Sequence, residues 1–314
     1  MSLLSVRDLV VGFPSGARAV RSVSLDLEPG ERLALVGESG CGKTTTMLAM
    51  MGLLPAGTVV SGQVLLDGED ILAGGEASMR PHRWTDIAMV FQGAMNALNP
   101  VRRVGAQIAE AVRIHGGGRR EGRLRALEVL ERVGLPEGVA SRYPHELSGG
   151  QRQRAVIALA LACEPKVLLA DEPTTALDVI VQDQIVALLR ELSDSLGLAV
   201  VLVTHDLALV PRICDRAAVM YAGSVVEHAA CADLVRRPLH PYTRRLVEAT
   251  PDLTARRPLT SIPGVPPRLD LPLTGCAFQP RCTSSLDRCA ESPPPPRDLG
   301  GGRSCACHLV EVDA

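Results

Sequence analysis

Short blocks of apolar residues mark the first third of the chain, and a longer periodic stretch follows them. The blocks predict strands over residues 2–11 and 19–36, and again over Gly62–Asp67 and Asp86–Phe91. From residue 93 to 144 the pattern becomes helical, with leucine or valine recurring at every third position from 124 to 133 (Leu124, Leu127, Leu130 and Val133). The first half therefore predicts several strands followed by a helical segment.

In the second half, apolar strands alternate with helices. Helices are predicted over Arg152–Cys163 and Ile180–Leu196, and fully apolar strands over Val167–Ala170 and Leu198–Thr204. Strands that are apolar throughout and alternate with helices favour a parallel sheet covered on both faces. The fold class predicted from this pattern is α/β.

A glycine-rich loop follows the apolar segment Arg32–Val36 and precedes a predicted helix, Thr45–Leu53. The loop, Gly37-Glu38-Ser39-Gly40-Cys41-Gly42-Lys43-Thr44, fits G-x-x-x-x-G-K-[ST], a pattern that binds nucleotide phosphates. Backbone N–H groups at a helix N-terminus stabilise anions, and Lys43 adds a compact positive charge. Lys43 is one of only two lysines among 33 cationic residues, so its place in the loop is notable.

Downstream, Leu147–Gln151 reads Leu-Ser-Gly-Gly-Gln, and a Val-Leu-Leu-Ala-Asp-Glu strand follows it. In this order the motifs resemble those of the ATP-binding subunit of an ABC transporter, and the resemblance covers about residues 3–310. It implies a P-loop ATPase core with a mixed, mainly parallel sheet, N-terminal antiparallel strands and an inserted helical subdomain. The expected boundaries are 1–231 for the ATP-binding domain, about 93–145 for the subdomain, and 232–314 for a small cysteine-containing extension.

The resemblance implies that the loop binds ATP and Mg²⁺, with the Thr44 hydroxyl as a metal ligand. We read Cys41 as filler; a reactive thiol is the alternative. Phe13 is expected to stack on adenine, although a strand-end core phenylalanine reads the same way. The expected nucleotide-binding set within and around the loop is Phe13, Gly37, Ser39, Gly40, Cys41, Gly42, Lys43, Thr44 and Thr45.

Catalysis is assigned by the resemblance to Lys43 and to three further residues, Glu172, Gln92 and His205. Asp171 ends an apolar strand and is expected beside Mg²⁺, and Glu172 is expected to be the general base for water. Gln92 matches the loop that contacts Mg²⁺ and water, and His205 matches the histidine that holds the γ-phosphate. Each residue taken alone is a weak signal; their order along the chain makes the signal specific.

In the same family, Ser148, Gly149, Gly150 and Gln151 contact ATP held by the opposite subunit, and Asp178 lies at the dimer seam. Two such subunits therefore close head-to-tail on two ATP molecules. The second subunit is expected to be a sister ATPase or a second copy of this chain, with the sister favoured.

The C-terminal region narrows the resemblance. His240-Pro241-Tyr242-Thr243 and Ile262–Pro266 match segments typical of ATPases of oligopeptide and dipeptide importers. The resemblance implies ATP hydrolysis that drives peptide import through two membrane permeases supplied by an extracytoplasmic binding protein. A nickel or opine importer subunit remains an alternative, because such relatives share this tail.

Five of the nine cysteines follow residue 275. Four soft ligands suit an iron–sulfur cluster or Zn²⁺, and the spacing lacks the C-x-x-C pairs of zinc ribbons. Some family members carry a [4Fe–4S] cluster here, and the resemblance implies Cys276, Cys282, Cys289 and Cys307 as its ligands. Zinc and unmetallated or redox-active thiols stay open, as does Cys305 as a substitute ligand.

Charge and hydropathy exclude other classes of protein. The net charge of −2 gives no reason to expect nucleic-acid binding. ABC ATPases that act on ribosomes or DNA usually have two cassettes or a long coiled-coil insertion, and neither is evident. No signal peptide or apolar run of about 18 residues is evident, so we expect a peripheral protein at the cytoplasmic face of the inner membrane.

Overall fold

The structure, a computed structural model, describes residues 2–93, 97–250 and 261–310. These residues form two compact units. The first contains the described residues up to Leu27, Arg32–Ala73, and the described residues from Val203 onward. The second contains Glu28–Glu31 and the described part of Gly74–Leu202.

An antiparallel sheet near the N-terminus lies in the first unit. Its strands, numbered along the chain, are β1 (Leu4–Gly12), β2 (Arg18–Leu27), β4 (Val59–Leu66) and β5 (Glu69–Asp70), in the order β2-β1-β4-β5. Leu4 pairs with Leu27 and Val6 with Leu25, which places apolar side chains on one face. This sheet confirms the predicted antiparallel N-terminal strands.

Five strands of a mixed sheet lie in the first unit, and one of them enters the glycine loop. They are β3 (Arg32–Val36), β9 (Arg216–Tyr221), β10 (Ser224–Ala230), β11 (Arg297–Asp298) and β12 (Ser304–Cys305), ordered β11-β12-β10-β9-β3. β3 is parallel to β9, whereas β10 is antiparallel to both β9 and β12. The predicted strand 19–36 is wrong as one element: β2 and β3 are separate, and Gly30 between them has a φ of +70°.

Five α-helices lie in the described part of the first unit: α1 (Lys43–Met50), α7 (Val210–Ile213), α8 (Cys231–Arg236), α9 (Pro241–Ala249) and α10 (Arg288–Glu291). A short 3-10 helix lies at Gln279–Arg281. α1 begins two residues before the predicted start, because Gly42 adopts a left-handed conformation (φ +107°) and forms the N-cap. β12, which lies after residue 231, pairs with β10, with Cys305 opposite Glu227.

In the second unit the neighbouring strands are ordered β8-β7-β6, and most of the helical residues lie in this unit. Its elements are α2 (Glu76–Met79), β6 (Ile87–Val90), α3 (Val104–Ile114), α4 (Arg119–Arg132), α5 (Gly149–Ala160), β7 (Val167–Asp171), α6 (Val179–Leu196) and β8 (Ala199–Thr204), whose last two residues count with the first unit. β6 and β7 are parallel, with Ile87 opposite Val167. Short 3-10 helices lie at Glu137–Ser141 and Pro144–Glu146. Residues 94–96 of the predicted helical segment lie outside the described residues.

The buried face of α4 includes only part of the apolar series at 124–133. Leu124 is 59% exposed, whereas Gly122, Ala126, Val129 and Leu130 are buried. A strict spacing of three drifts around a helix of 3.6 residues per turn, so positions three and four apart share the buried face instead. A Cβ on Gly122 would lie 2.7 Å from the Ala109 carbonyl oxygen, which shows how closely α4 approaches α3.

Leucine, valine, alanine and isoleucine fill most of the core, as their abundance predicts. The largest fully buried side chains nevertheless include three of the few aromatic residues, Tyr221, Tyr242 and Phe278. Their ring centroids lie 4.6 to 5.4 Å apart. Because Tyr221 is in β9, Tyr242 in α9 and Phe278 near the cysteines, this aromatic cluster packs the C-terminal residues onto the strands of the first unit.

Candidate nucleotide site

The glycine loop turns from the end of β3 into α1. Gly37 and Gly42 have φ values of +152° and +107°, and both are buried. A Cβ on Gly37 would lie 2.2 Å from the Met220 carbonyl oxygen, and one on Gly42 would lie 2.3 Å from the Ala19 carbonyl oxygen. The path of the loop therefore requires glycine at both positions, because no larger residue fits against these backbones.

The other loop residues present backbone and hydroxyl groups at the start of α1. Ser39 and Gly40 are exposed, Thr44 and Thr45 are half-buried, and Cys41 is 5% exposed. Burial raises the pKa of the Cys41 thiol, although the Lys43 charge opposes the shift. A raised thiol pKa favours the filler interpretation of Cys41 over a reactive thiolate.

Lys43 lies inside the loop and is only 6% exposed. Its Nζ donates to the carbonyl oxygens of Gly37 at 2.7 Å and Glu38 at 3.0 Å. Cys41 Sγ lies 3.8 Å from the same nitrogen. These bonds fix the ammonium group against the backbone of the loop.

Glu38 of the loop contacts two residues that the sequence did not connect with it. Its backbone N–H donates to the Tyr242 hydroxyl at 2.8 Å. Its carboxylate accepts two hydrogen bonds from the Arg281 guanidinium, at 2.6 and 2.9 Å. Tyr242 belongs to a motif singled out above, but no local pattern reveals that its hydroxyl reaches the loop.

In the second unit, Asp171, Glu172 and Gln92 lie together at the ends of two parallel strands. Asp171 is 1% exposed and ends β7, and Gln92 follows β6. Glu172 Oε2 accepts hydrogen bonds from Gln92 Nε2 and Thr175 Oγ1, both at 2.9 Å. Glu172 has a φ of +45°, a strained conformation of the kind often stored at functional sites.

Ser148–Gln151 form the N-terminus of α5, three residues before the predicted helix start. Ser148 Oγ accepts from the Gln151 N–H at 3.3 Å, while Gln151 Oε1 accepts from the Ser148 N–H at 3.1 Å. This reciprocal capping box explains why the helix begins at a glycine pair. Ser148 and Gly149 are exposed, so the free N–H groups of this helix end face outward and suit an anion.

Gly150 packs against the start of α6. A Cβ at Gly150 would lie 2.7 Å from Val181 Cγ1. Asp178 is the N-cap of α6, because its Oδ1 accepts from the Val181 N–H at 2.9 Å. The Leu147–Gln151 segment and the start of α6 at Asp178 therefore pack together within the second unit.

His205 and Phe13 are the remaining predicted site residues, and both lie in the first unit. His205 is exposed directly after β8, where the neighbouring Asp206 N–H donates to Thr204 Oγ1 at 3.0 Å. Phe13 is half-buried in the turn from β1 to β2, closed by its N–H donating to the Ala17 carbonyl at 2.9 Å. The roles of both residues stay predictions.

The four cysteines expected to act together are neighbours. Burial raises the pKa of Cys276, and the charges of Cys289, Cys307 and Cys282 add to the shift. The Cys276 N–H also donates to the Cys289 carbonyl at 2.7 Å. Within the described ranges, however, no group of three or more histidine, cysteine or acidic side chains is placed so that it could hold a metal ion.

Cys305 has different neighbours, although the charge of Cys307 also contributes to its raised pKa. It is buried in β12 opposite Glu227, and burial together with the Glu227 charge raises its pKa. The position of Cys307 beside Cys276 favours it over Cys305 as the fourth member of the group.

No helix in the described part of the chain is both long and apolar enough to cross a bilayer.

Two family models match different parts of the sequence. Residues 20–175 match the ABC transporter family, and residues 226–289 match the oligopeptide/dipeptide transporter, C-terminal region. The probable peptide ABC transporter ATP-binding protein y4tR of Sinorhizobium fredii is 48% identical, over 97% of this chain and 94% of the relative. The dipeptide transport ATP-binding protein DppD of Escherichia coli is 44% identical, over 100% of this chain and 98% of the relative.

Solved structures agree with this assignment. CbiO1 of Clostridium perfringens, part of the ABC transporter complex cbiONQ, is 31% identical with a TM-score of 0.66, covering 75% of this chain and 91% of that one. The ATP-binding cassette MJ0796, a dimer in a post-hydrolysis state bound to ADP and Pi, is 30% identical with a TM-score of 0.64, covering 73% and 98%. The chain thus belongs to the ABC transporter family of ATPases, as an ATP-binding subunit with the C-terminal region of the oligopeptide and dipeptide transporters.

Proposed function

We propose that this protein is the ATP-hydrolysing motor subunit of an ABC importer for oligopeptides or dipeptides. The assignment of ATP hydrolysis rests on the Glu172 carboxylate, which follows the buried Asp171. Its Oε2 accepts hydrogen bonds from Gln92 and Thr175, both at 2.9 Å. The peptide part is supported by the match to the oligopeptide/dipeptide C-terminal region and by the names of the relatives.

ATP binding is assigned to the glycine loop. The N–H groups at the start of α1 hold the phosphates, and Lys43 neutralises their charge. Thr44, Asp171 and Gln92 are the proposed ligands of Mg²⁺, which supplies charge neutralisation at the phosphates. Phe13 stacks on adenine, and Ser39 and Thr45 line the same loop.

Hydrolysis is assigned to Glu172 as general base. A positioned base contributes about 10²–10⁴ in rate by accepting the proton of the attacking water. Gln92 orients that base, because its amide nitrogen donates to the carboxylate oxygen. His205 holds the γ-phosphate from its exposed position after β8.

Two subunits close head-to-tail on ATP in this proposal. The outward-facing helix end at Ser148–Gln151 binds the γ-phosphate held by the other subunit. Asp178 lies at the seam, where the next residues, Val179 and Ile180, are 74% and 72% exposed. Exposed apolar side chains of this size support an interface there. The partner is a sister ATPase or a second copy of this chain.

The remaining partners are two permeases and an extracytoplasmic peptide-binding protein. Permease docking near Gln92 is supported by Phe91 and Val101, which are 43% and 79% exposed. The protein is then peripheral at the cytoplasmic face of the inner membrane. We retain the domain division into 1–231, with a helical subdomain at about 93–145, and 232–314.

We also propose that Cys276, Cys282, Cys289 and Cys307 bind an iron–sulfur cluster of the [4Fe–4S] type. Support comes from the mutual proximity that raises the pKa of Cys276 and from the chemistry of four thiols. The arrangement of these side chains is not itself that of a metal site. Iron and acid-labile sulfide analysis of protein purified anaerobically tests the proposal; zinc, or no metal, would contradict it.

The experiment for the main proposal is uptake in the native host carrying Glu172→Gln. Labelled dipeptides, longer peptides and Ni²⁺ are offered separately. The matched control is Glu191→Gln, the same change at an exposed position of α6. Selective loss of peptide uptake in Glu172→Gln supports the proposal, loss of nickel uptake alone reassigns the cargo, and unchanged uptake of all three contradicts the peptide assignment.

A further inference from the structure

The glycine loop carries one acidic side chain, Glu38, among the residues proposed to bind a polyanion. An uncompensated carboxylate there would repel the ATP phosphates, since like charges at short distance in a partly buried site interact strongly. The loop therefore needs either to expose Glu38 to solvent or to pair it. The Glu38 side chain is 26% exposed, so pairing matters.

Arg281 provides that pair from a buried position. Its side chain is 3% exposed, and the guanidinium makes a bidentate contact to the Glu38 carboxylate at 2.6 and 2.9 Å. The pKa of Arg281 is raised, mainly by this hydrogen bond to Glu38. Bidentate pairs of this kind fix geometry as well as charge.

The rest of the Arg281 side chain is also fixed. Nε donates to the Pro263 carbonyl at 2.8 Å, and the terminal nitrogens donate to the Tyr221 hydroxyl at 3.2 Å and the Ile262 carbonyl at 3.4 Å. Together with the Glu38 bonds, these contacts match the five N–H donors of an arginine. Lysine has no planar fork and cannot reproduce this set.

Tyr242 holds the backbone of the same loop residue. Its hydroxyl accepts from the Glu38 N–H at 2.8 Å, and its ring is fully buried in the aromatic cluster with Tyr221 and Phe278. On the other side of the same residue, the Glu38 carbonyl accepts from Lys43 Nζ at 3.0 Å. Glu38 is thus fixed at its N–H, its carbonyl and its carboxylate.

We propose that Arg281 and Tyr242 are positioning residues for ATP binding: they hold Glu38 and cancel its charge so that the adjacent loop accepts phosphate. This proposal rests on the proposed role of Gly37–Thr44 as the phosphate loop. It assigns a task in the nucleotide site to the C-terminal region, which supplies both residues. The task concerns binding, because Glu172 and Gln92 are not among the contacts.

The test measures the Kd of Mg-ATP by titration calorimetry and kcat and KM of ATP hydrolysis, on the full chain. For Arg281→Met we expect Kd and KM to rise about tenfold while kcat changes less than twofold. Glu38→Gln with Arg281→Met should return to within about threefold of wild type, because no charge is left unpaired. Arg281→Lys should fall between wild type and Arg281→Met.

Two controls isolate the effect. Arg245→Met removes an arginine that pairs with Glu248 at 3.0 Å in α9 of the same unit, and should leave Kd unchanged. Tyr242→Phe removes only the hydroxyl acceptor and should raise Kd with unchanged kcat, which keeps the proposal testable if Arg281→Met fails to fold.

Unchanged Kd in Arg281→Met, or no recovery in the double variant, would overturn the positioning role. Lys43→Ala is measured alongside. Retained ATP binding in Lys43→Ala would instead refute the proposed phosphate loop itself, so the two failures are distinguishable.

Discussion

The N-cap of α9 predicts a measurable acid sensitivity. His240 is 2% exposed, and its Nδ1 accepts from the Tyr242 N–H at 3.0 Å. An accepting ring nitrogen must be unprotonated, so the native structure requires a neutral imidazole here. Burial lowers the pKa of His240 from 6.5 to about 4.

The sign of the effect follows from proton binding. Below a pH of about 6.5 the unfolded chain binds a proton at this histidine, whereas the folded chain does not until the pH approaches its pKa of about 4. The folded state is therefore at full stability above the unfolded pKa and loses stability as the pH falls between the two values. At pH 5 this loss is about 2 kcal/mol relative to pH 8.

The measurement is urea unfolding of the full chain, followed by circular dichroism, at four values between about pH 8 and pH 5. The comparison variant is His240→Asn, whose side-chain oxygen can still cap α9 but does not titrate. Carboxylates also make the protein less stable in acid. For example, the Arg7 hydrogen bond helps to lower the pKa of Asp26 against the opposing effect of burial. This contribution is present in both proteins, so it cancels in the difference between them. The His240 backbone N–H donates to the Glu227 carboxylate at 2.9 Å, and the substitution keeps this donor.

Wild type should therefore lose about 2 kcal/mol more than His240→Asn between pH 8 and pH 5. The smaller asparagine lowers stability at every pH, so only the difference in slope is used. Parallel curves for the two proteins would refute the reasoning, because they would mean that His240 titrates equally in the folded and unfolded chains.

Three further predictions concern other single contacts. Glu227→Ala should lower the free energy of unfolding by about 3–5 kcal/mol in urea, because it leaves Arg303 without the carboxylate of its ion pair. Glu227→Gln should lower the stability clearly less, and equal losses in the two variants would contradict this reasoning. Asp178→Ala should lower the free energy of unfolding by about 1 kcal/mol in the same assay, because it removes the acceptor for the Val181 N–H. Asp178→Asn should lower it by about a few tenths of a kcal/mol, and a loss as large as in Asp178→Ala would count against the N-cap. Gly42→Ala should abolish ATP binding in calorimetry, because its Cβ cannot avoid the backbone oxygen 2.3 Å away, and binding at wild-type affinity would disprove it.

Much of the fold and the family could be predicted because the signals are local. The glycine loop, the apolar strand before Asp171 and the order of motifs depend on neighbouring residues only. The exposure of Leu124 could not be predicted for the opposite reason: the residue fits a spacing of three, but burial is decided by packing against α3, which the spacing does not encode.

The contacts of Glu38 could not be predicted from sequence. Its partners Tyr242 and Arg281 are separated from it by 204 and 243 positions, and nothing in the local pattern links them. Strands as short as β11 and β12 carry no periodicity, so the pairing of Cys305 with Glu227 was equally hidden. Sequence identified the chemistry, and the structure shows what holds it.

The loop is shaped by residues from three distant parts of the first unit. The Ala19 and Met220 carbonyls exclude side chains at Gly42 and Gly37, and Arg281 and Tyr242 fix Glu38. This unit contains the proposed phosphate loop, whereas Glu172 and Gln92 belong to the other unit. Substitutions in the C-terminal region should therefore weaken ATP affinity more than they slow the chemical step. We expect loss of the cysteine group to act through the same contacts, since Arg281 immediately precedes Cys282. A cysteine variant that lowers kcat at saturating ATP, with KM unchanged, would therefore contradict this order of effects.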